Sequence, residues 1–284
     1  MQKIIVPLDG SAVAEEILPG LRRLLGGEPV DVVLLRAVHF PVGDLHVPID
    51  VRGLEDEAKR YLERTAQRLT REGIAARTRF AIGEPARAIV DAASAEGATL
   101  LAMTTHGHTG LARVVLGSVA EQVLRTASVP VWLARAGTAV RPIRTLLVPL
   151  DGSELSASVL PAATDAAQRL GASILLLHVF PRRKERNELD VPALPLQEPQ
   201  QILARQGVKV ASEFYEGDPT DRILLAIADQ QADAVAMTTH GRSGISRLVL
   251  GSVTEAVVRR SPVPLLILRA GSRVAAAMKG AAHA

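Results

Sequence analysis

The 284-residue sequence contains no cysteine, which excludes a disulfide framework, a thiolate zinc site and a cysteine nucleophile, and fits a reducing compartment. Aromatic residues are scarce, at 2%, so platforms for stacking nucleic-acid bases are missing. An excess of one charge sign is missing too. Lys and Arg number 33 against 30 Asp and Glu, a balance too even to gather a polyanion such as nucleic acid. No apolar run approaches the ~20 residues of a membrane span, and residues 1–7 enter a strand-like run without the apolar stretch of a signal peptide. The expectation is a cytoplasmic protein with neither a membrane nor a nucleic-acid partner.

What the chain does have is aliphatic bulk. Apolar residues make up 48%, so the core must be built of Leu, Val, Ile and Ala, the usual filling of parallel sheets covered by helices. At ~150 residues per domain the length suggests two units, and the sequence is indeed written twice. Val6-Pro7-Leu8-Asp9-Gly10-Ser11 recurs letter for letter as Val148-Pro149-Leu150-Asp151-Gly152-Ser153. Met103-Thr104-Thr105-His106-Gly107 recurs as Met237-Thr238-Thr239-His240-Gly241, and Leu116-Gly117-Ser118-Val119 as Leu250-Gly251-Ser252-Val253. The first block recurs 142 positions on (6 to 148) and the second 134 (103 to 237), so repeat two has lost eight residues in its middle.

In repeat one, runs 3–8, 31–38, 77–82, 100–104 and 129–134 have strand length and β-branched content. Helical periodicity lies between them. Ser11 is placed to cap a helix that Pro19 should kink, and 54–72, 85–96 and 118–126 read as further helices. Repeat two repeats the order, with Pro192, Pro195 and Pro199 leaving room for only a stub of its second long helix. Such alternation predicts an α/β class, in which each unit is a doubly wound, five-stranded parallel sheet of order 3-2-1-4-5, Rossmann-like, with helices on both faces. The expected domains are 1–137 and 143–270, joined by a linker across 135–144 and followed by a tail at 271–284. The last strand of each unit would be a bare apolar edge. Pairing the two edges would make an intramolecular pseudo-dimer, which could pair again as a homodimer.

Ligands of an open parallel sheet sit beyond the strand ends where the winding reverses. There the chain carries Asp9-Gly10-Ser11 after strand one and a glycine-rich stretch after strand four, with Gly107, Gly110 and Gly117 in repeat one and Gly241, Gly244 and Gly251 in repeat two. Glycines let a polyanion approach backbone N–H groups, and the helices opened by Ser118 and Ser252 add free donors and a positive dipole end. The combination suits phosphate. The plainer alternative is a tight strand-to-helix connection, and the duplication of the pattern weighs against it.

Both halves resemble universal stress protein domains, over 3–134 and 145–269. The ATP-binding branch of that family carries Gly, two residues, Gly, nine residues, then Gly-Ser or Gly-Thr. Gly107 with Gly117-Ser118, and Gly241 with Gly251-Ser252, keep the last two glycines, while Thr104 and Thr238 replace the first, adding bulk but keeping a hydroxyl near ribose or phosphate. The resemblance implies ATP as ligand, with Mg2+ held mainly by the phosphates. It also implies that Asp9 and Asp151 face the adenine-ribose end, with Pro7, Leu8, Pro149 and Leu150 also binding the cofactor, and that Val38 and Val179 offer backbone groups to the base. Met103, Thr105, His106, Gly107, Gly110, Gly117, Ser118 and Val119 would complete the first site. Met237, Thr239, His240, Gly241, Arg242, Gly244, Gly251, Ser252 and Val253 would complete the second.

Hydrolysis needs more: a carboxylate for metal, a charge clamp and a group to orient water. Neither 104–118 nor 238–252 contains Asp, Glu or Lys. The expectation is therefore a nucleotide-binding stress-response or signalling module with little or no turnover. Two alternatives stay open, a slow ATPase or self-phosphorylating protein that uses His106 or His240 as base, and a nucleotide-free association module. Arg242 stands where repeat one has His108, while Arg113 and Arg247 correspond, which predicts tighter triphosphate binding in repeat two. The basic cluster Arg182, Arg183, Lys184 and Arg186 reads as a solvated loop beside that site.

Overall fold

A computed structural model of the chain describes residues 2–24, 30–39, 51–105, 116–138, 141–182, 195–240 and 250–270. Repeat one runs β1 (Gln2–Pro7), α1 (Ala12–Glu15), α2 (Leu18–Leu24), β2 (Val30–Val38), α3 (Val51–Arg71), β3 (Ala76–Ile82), α4 (Pro85–Ala95), β4 (Leu100–Thr104), α5 (Ser118–Thr126) and β5 (Val131–Ala134). Repeat two follows as β6 (Thr145–Pro149), α6 (Glu154–Ala157), α7 (Leu160–Leu170), β7 (Ser173–Phe180), α8 (Gln197–Arg205), β8 (Val210–Glu216), α9 (Pro219–Asp229), β9 (Ala234–Thr238), α10 (Ser252–Arg260) and β10 (Leu265–Leu268).

All ten strands form one sheet in the order β3-β2-β1-β4-β5-β10-β9-β6-β7-β8. Each half thus has the expected 3-2-1-4-5 order, parallel throughout. The join is antiparallel: Leu133 pairs with Leu265, Trp132 with Leu266 and Val131 with Ile267. The two apolar edges foreseen from sequence therefore cover each other, removing the exposed ladder that would invite foreign strands. Because the join is antiparallel, the strand ends of the two repeats point in opposite directions.

Two aliphatic cores sandwich the sheet and both run across the join. One gathers β residues such as Ile4, Val6, Val148 and Leu266 with α2, α3, α7 and α8; the other gathers Ile5, Leu101, Leu147 and Ile267 with α4, α5, α9 and α10. Strand residues alternate between these layers, as a period of two requires.

The first helix differs from its sequence reading. Instead of one kinked helix there are two, and Pro19 lies in the first turn of α2, as Pro161 does in α7. A proline lacks the N–H that a first turn leaves unused anyway, so it opens the second segment rather than bending a continuous one. The shortened helix of repeat two is α8, nine residues against 21 in α3. At the start of repeat two, Asp233 Oδ2 accepts from the amides of Arg144 and Thr145 at 2.8 and 3.1 Å, and at the end of repeat one the Glu16 carboxylate accepts from the Gly137 amide.

At the base of repeat one, Glu96 gathers three cations. Its carboxylate meets Arg77 and Arg79, each at 2.5 Å, and Lys3 at 3.6 Å, while Arg77 also meets Asp31 at 3.1 Å. The Arg77 and Arg79 hydrogen bonds hold the Glu96 pKa down to about 2, and Arg77 and Lys3 lower that of Asp31.

Candidate functional site

The first turn of the site is fixed locally. Asp9 Oδ1 accepts from the Ser11 amide at 2.9 Å and from its hydroxyl at 2.6 Å; Asp151 does the same for Ser153 at the same distances. Gly10 and Gly152 take φ of +87° and +84°, the left-handed conformation that a side chain disfavours, so the Asp-Gly-Ser triplet is a geometric requirement of the turn. Ser11 and Ser153 then cap α1 and α6.

The second turn follows β4 and β9. Thr105 and Thr239 prolong these strands by donating to the Ala134 and Leu268 carbonyls, and their own carbonyls accept from the amides of Gly117 and Gly251 at 2.9 and 2.8 Å. A Cβ on Gly251 would stand 2.9 Å from the Thr239 oxygen, so only glycine allows this closeness. Gly117 and Gly251 are also the N-caps of α5 and α10, and neither offers a capping side chain. By contrast Glu84 and Asp218 cap α4 and α9 with their carboxylates. Among the described residues, the first turns of α5 and α10 keep their amide donors uncapped by side chains.

In repeat two these parts enclose a crevice of about 240 Å³. Of the residues singled out from sequence, the structure brings Pro149, Leu150, Asp151, Val179, Met237, Thr238, His240, Gly251, Ser252 and Val253 to its walls. Thr239 is buried behind it. Ser156, Leu177, Pro219, Ile223 and Thr254 line it as well, and the sequence reading did not name them. Comparing the repeats would have flagged two: Ser156 and Thr254 are hydroxyls where repeat one has Ala14 and Ala120. The Thr254 hydroxyl donates to the Thr238 carbonyl at 2.8 Å, tying α10 to β9.

In repeat one, Pro7 ends β1 and Leu8 and Asp9 follow it, Met103 lies near the end of the neighbouring β4 and Thr105 just after it, and Gly117 caps α5, which Ser118 and Val119 open. His106, Gly107, Gly110, Gly241, Arg242 and Gly244 lie outside the described residues, as do His108, Arg113, Arg247 and all of the basic cluster except Arg182.

One reading needs correction. Val38 and Val179 are not counterparts: the register pairs Pro7 with Leu35 and Pro149 with Leu177, which aligns Val179 with Ala37 and Val38 with Phe180. By alternation Val38 lies on the sheet face of Leu34, away from the face that Leu177 and Val179 turn to the crevice, and its carbonyl accepts from the Gly83 amide at 3.0 Å. The residue matching Val179 is Ala37. Thr238, which stands in place of the first motif glycine, lines the crevice of repeat two. Its hydroxyl donates to the His240 carbonyl at 2.7 Å and closes the turn.

The strands beside the two turns also differ. Arg36 of β2 brings its guanidinium within 3.3 Å of where a Gly10 Cβ would be and lies over the Tyr61 ring, 5.2 Å from its centroid. At the matching place in repeat two, buried His178 donates from Nδ1 to the Leu150 carbonyl at 2.7 Å.

A tandem, doubly wound α/β protein with a glycine-lined crevice at its switch point is the class that fold and site define. The sequence profile of the universal stress protein family matches residues 1–135 and 142–269, and the chain belongs to that family. It is 26% identical over 238 residues to a universal stress protein of Mycobacterium tuberculosis, covering 76% of this chain and 78% of that one. It is 25% identical over 294 aligned positions to one from Mycolicibacterium smegmatis, covering 94% and 96%. Among solved structures, a universal stress protein from Archaeoglobus fulgidus superposes with a TM-score of 0.72 at 25% identity, covering 95% of this chain and 97% of that one. Among the described residues no helix is long and apolar enough to cross a membrane.

Proposed function

We propose that this universal stress protein holds ATP at the strand ends of its repeats, acts as a cytoplasmic nucleotide-binding module in a stress response, and turns the nucleotide over slowly if at all. The observation that carries the reading is the crevice of repeat two, where an uncapped helix start, a glycine-tight turn and a buried imidazole nitrogen without a partner among the described residues meet on one wall. An unmet buried donor or acceptor is costly. A ligand bearing oxygen atoms on one part and a flat apolar ring on another fits these walls: Leu177, Val179, Ile223 and Met237 offer the apolar side, Asp151, His240 and Ser252 the polar one. At about 240 Å³ the described crevice is below the ~300–1,000 Å³ of drug-sized pockets, so it suits base and ribose, with the phosphates leaving past the α10 start.

Slow turnover rests on the occupation of the nearest carboxylate. Asp151 already accepts two hydrogen bonds from Ser153, which spends one oxygen on the turn. Magnesium would travel with the phosphates. The resemblance that ties the Gly-x9-Gly-Ser spacing to ATP points the same way.

Titration calorimetry of the full chain with ATP and magnesium, beside native mass spectrometry of freshly purified protein, tests the proposal. Binding at two sites per chain, of which Val179→Trp removes the one in repeat two, with nucleotide recovered intact after long incubation, is the expected result. Absence of heat and of a bound mass in the unsubstituted chain would sink it.

A further inference from the structure

We propose that Thr239 is a positioning residue that sets the tautomer of His240, so that the imidazole presents Nε2–H to an acceptor oxygen of the ligand. This rests on reading the repeat-two crevice as a nucleotide site. Thr239 is 1% exposed, and its Oγ1 accepts from the Ala270 amide at 3.2 Å while standing 3.0 Å from His240 Nδ1. His240 Nε2 is buried, with no hydrogen-bond partner among the described residues.

Counting protons decides the arrangement. If Nδ1 carried the hydrogen, it would donate to Thr239 Oγ1, and among the described residues the threonine proton would have no acceptor while Nε2 would be a bare, buried acceptor: two unmet groups. If Thr239 donates to Nδ1 instead, the Ala270 amide, the hydroxyl and Nδ1 are all satisfied and one group is left, the Nε2–H. Fewer unmet buried groups is the stable choice. The chain Ala270 N–H to Thr239 Oγ1–H to His240 Nδ1 therefore makes His240 a donor at the crevice it lines with Asp151 and Ser252. A phosphate or ribose oxygen is the chemistry that would answer it.

The role is separable from packing. Thr239→Val keeps the shape and removes the relay; Thr239→Ser keeps the relay. Two-bond nitrogen–proton NMR spectra of the labelled full chain, with the His240 signals assigned by their loss in His240→Gln, report which nitrogen is bare. Without nucleotide, the unsubstituted chain and Thr239→Ser should show a bare Nδ1 and a protonated Nε2, and Thr239→Val should lose that pattern with its circular dichroism intact. ATP affinity should fall about tenfold in Thr239→Val and change less than about twofold in Thr239→Ser, the effect of one lost hydrogen bond. A protonated Nδ1 in the unsubstituted chain overturns the proposal even if the valine variant does not fold. So does an unchanged ATP affinity in a valine variant that has lost the pattern. If the pattern is present and respects the valine and serine substitutions, but the unsubstituted chain takes up no ATP, the relay stands and the nucleotide reading fails.

Discussion

Trp132 of β5 lies directly opposite Leu266 of β10, and this antiparallel pair joins two five-stranded halves into one continuous sheet. Both side chains are almost fully buried in a core that draws on both repeats. The halves should therefore melt together.

Trp132→Ala is expected to cost about 3–5 kcal/mol, the range for deleting a large buried aromatic. The loss should fall on both repeats. Urea unfolding followed by circular dichroism and by a probe confined to repeat two should show both transitions move to lower denaturant. A repeat-two transition that does not move would mean that the join carries no coupling.

The ion cluster at the base of repeat one gives a pH dependence with a definite sign. Glu96 and Asp31 are more acidic folded than unfolded, so their contribution is complete above the unfolded carboxylate value of 4.5 for Glu96 and disappears as pH falls towards about 2. Arg77 is partly exposed and screened, so about 1–2 kcal/mol is the expected loss across that window. Arg77→Met should flatten the profile. Repeat two has Ser173, Ala211 and Gln230 where Asp31, Arg77 and Glu96 stand in repeat one, so mild acid should weaken repeat one first. Hydrogen exchange at about pH 3 that protects both repeats equally would contradict this.

Gly251→Ala places a methyl 2.9 Å from the Thr239 carbonyl that Gly251 itself bonds. Opening that contact should cost about 1–3 kcal/mol, lower the melting temperature and weaken ATP binding at repeat two together. An alanine variant as stable as its parent would show that the turn is not as tight as described.

Thr254→Val removes the hydroxyl that ties α10 to the Thr238 carbonyl and leaves that oxygen unmet in a buried place. A cost of about 1–3 kcal/mol is expected. Ala120→Thr in repeat one is the reciprocal test, since it offers the same tie where none exists. Equilibrium denaturation of both variants reads the pair.

Much of this architecture was legible because duplication doubles every signal. The strand order followed from β/α alternation and from the two polar strand ends, and the apolar edges announced their own pairing. The misreadings were local and physical. Val38 and Val179 look alike at the ends of their strands, yet one residue of register turns a side chain to the opposite face, and only the β1–β2 and β6–β7 pairings reveal it. Pro19 was read as a kink because a proline inside an apolar stripe bends a helix, while one in a first turn starts it. Ser156 and Thr254 were passed over because they lie within helices otherwise occupied by core residues.

Since β5 and β10 run antiparallel, the strand ends of the two repeats sit at opposite rims of a single slab, with the repeat-two crevice at one of them. No mobile side chain can bridge them and no small ligand can touch both. A receptor that must know whether both are filled has to embrace the molecule from two ends, or else feel the state of one rim as a shift of strands relayed through the middle.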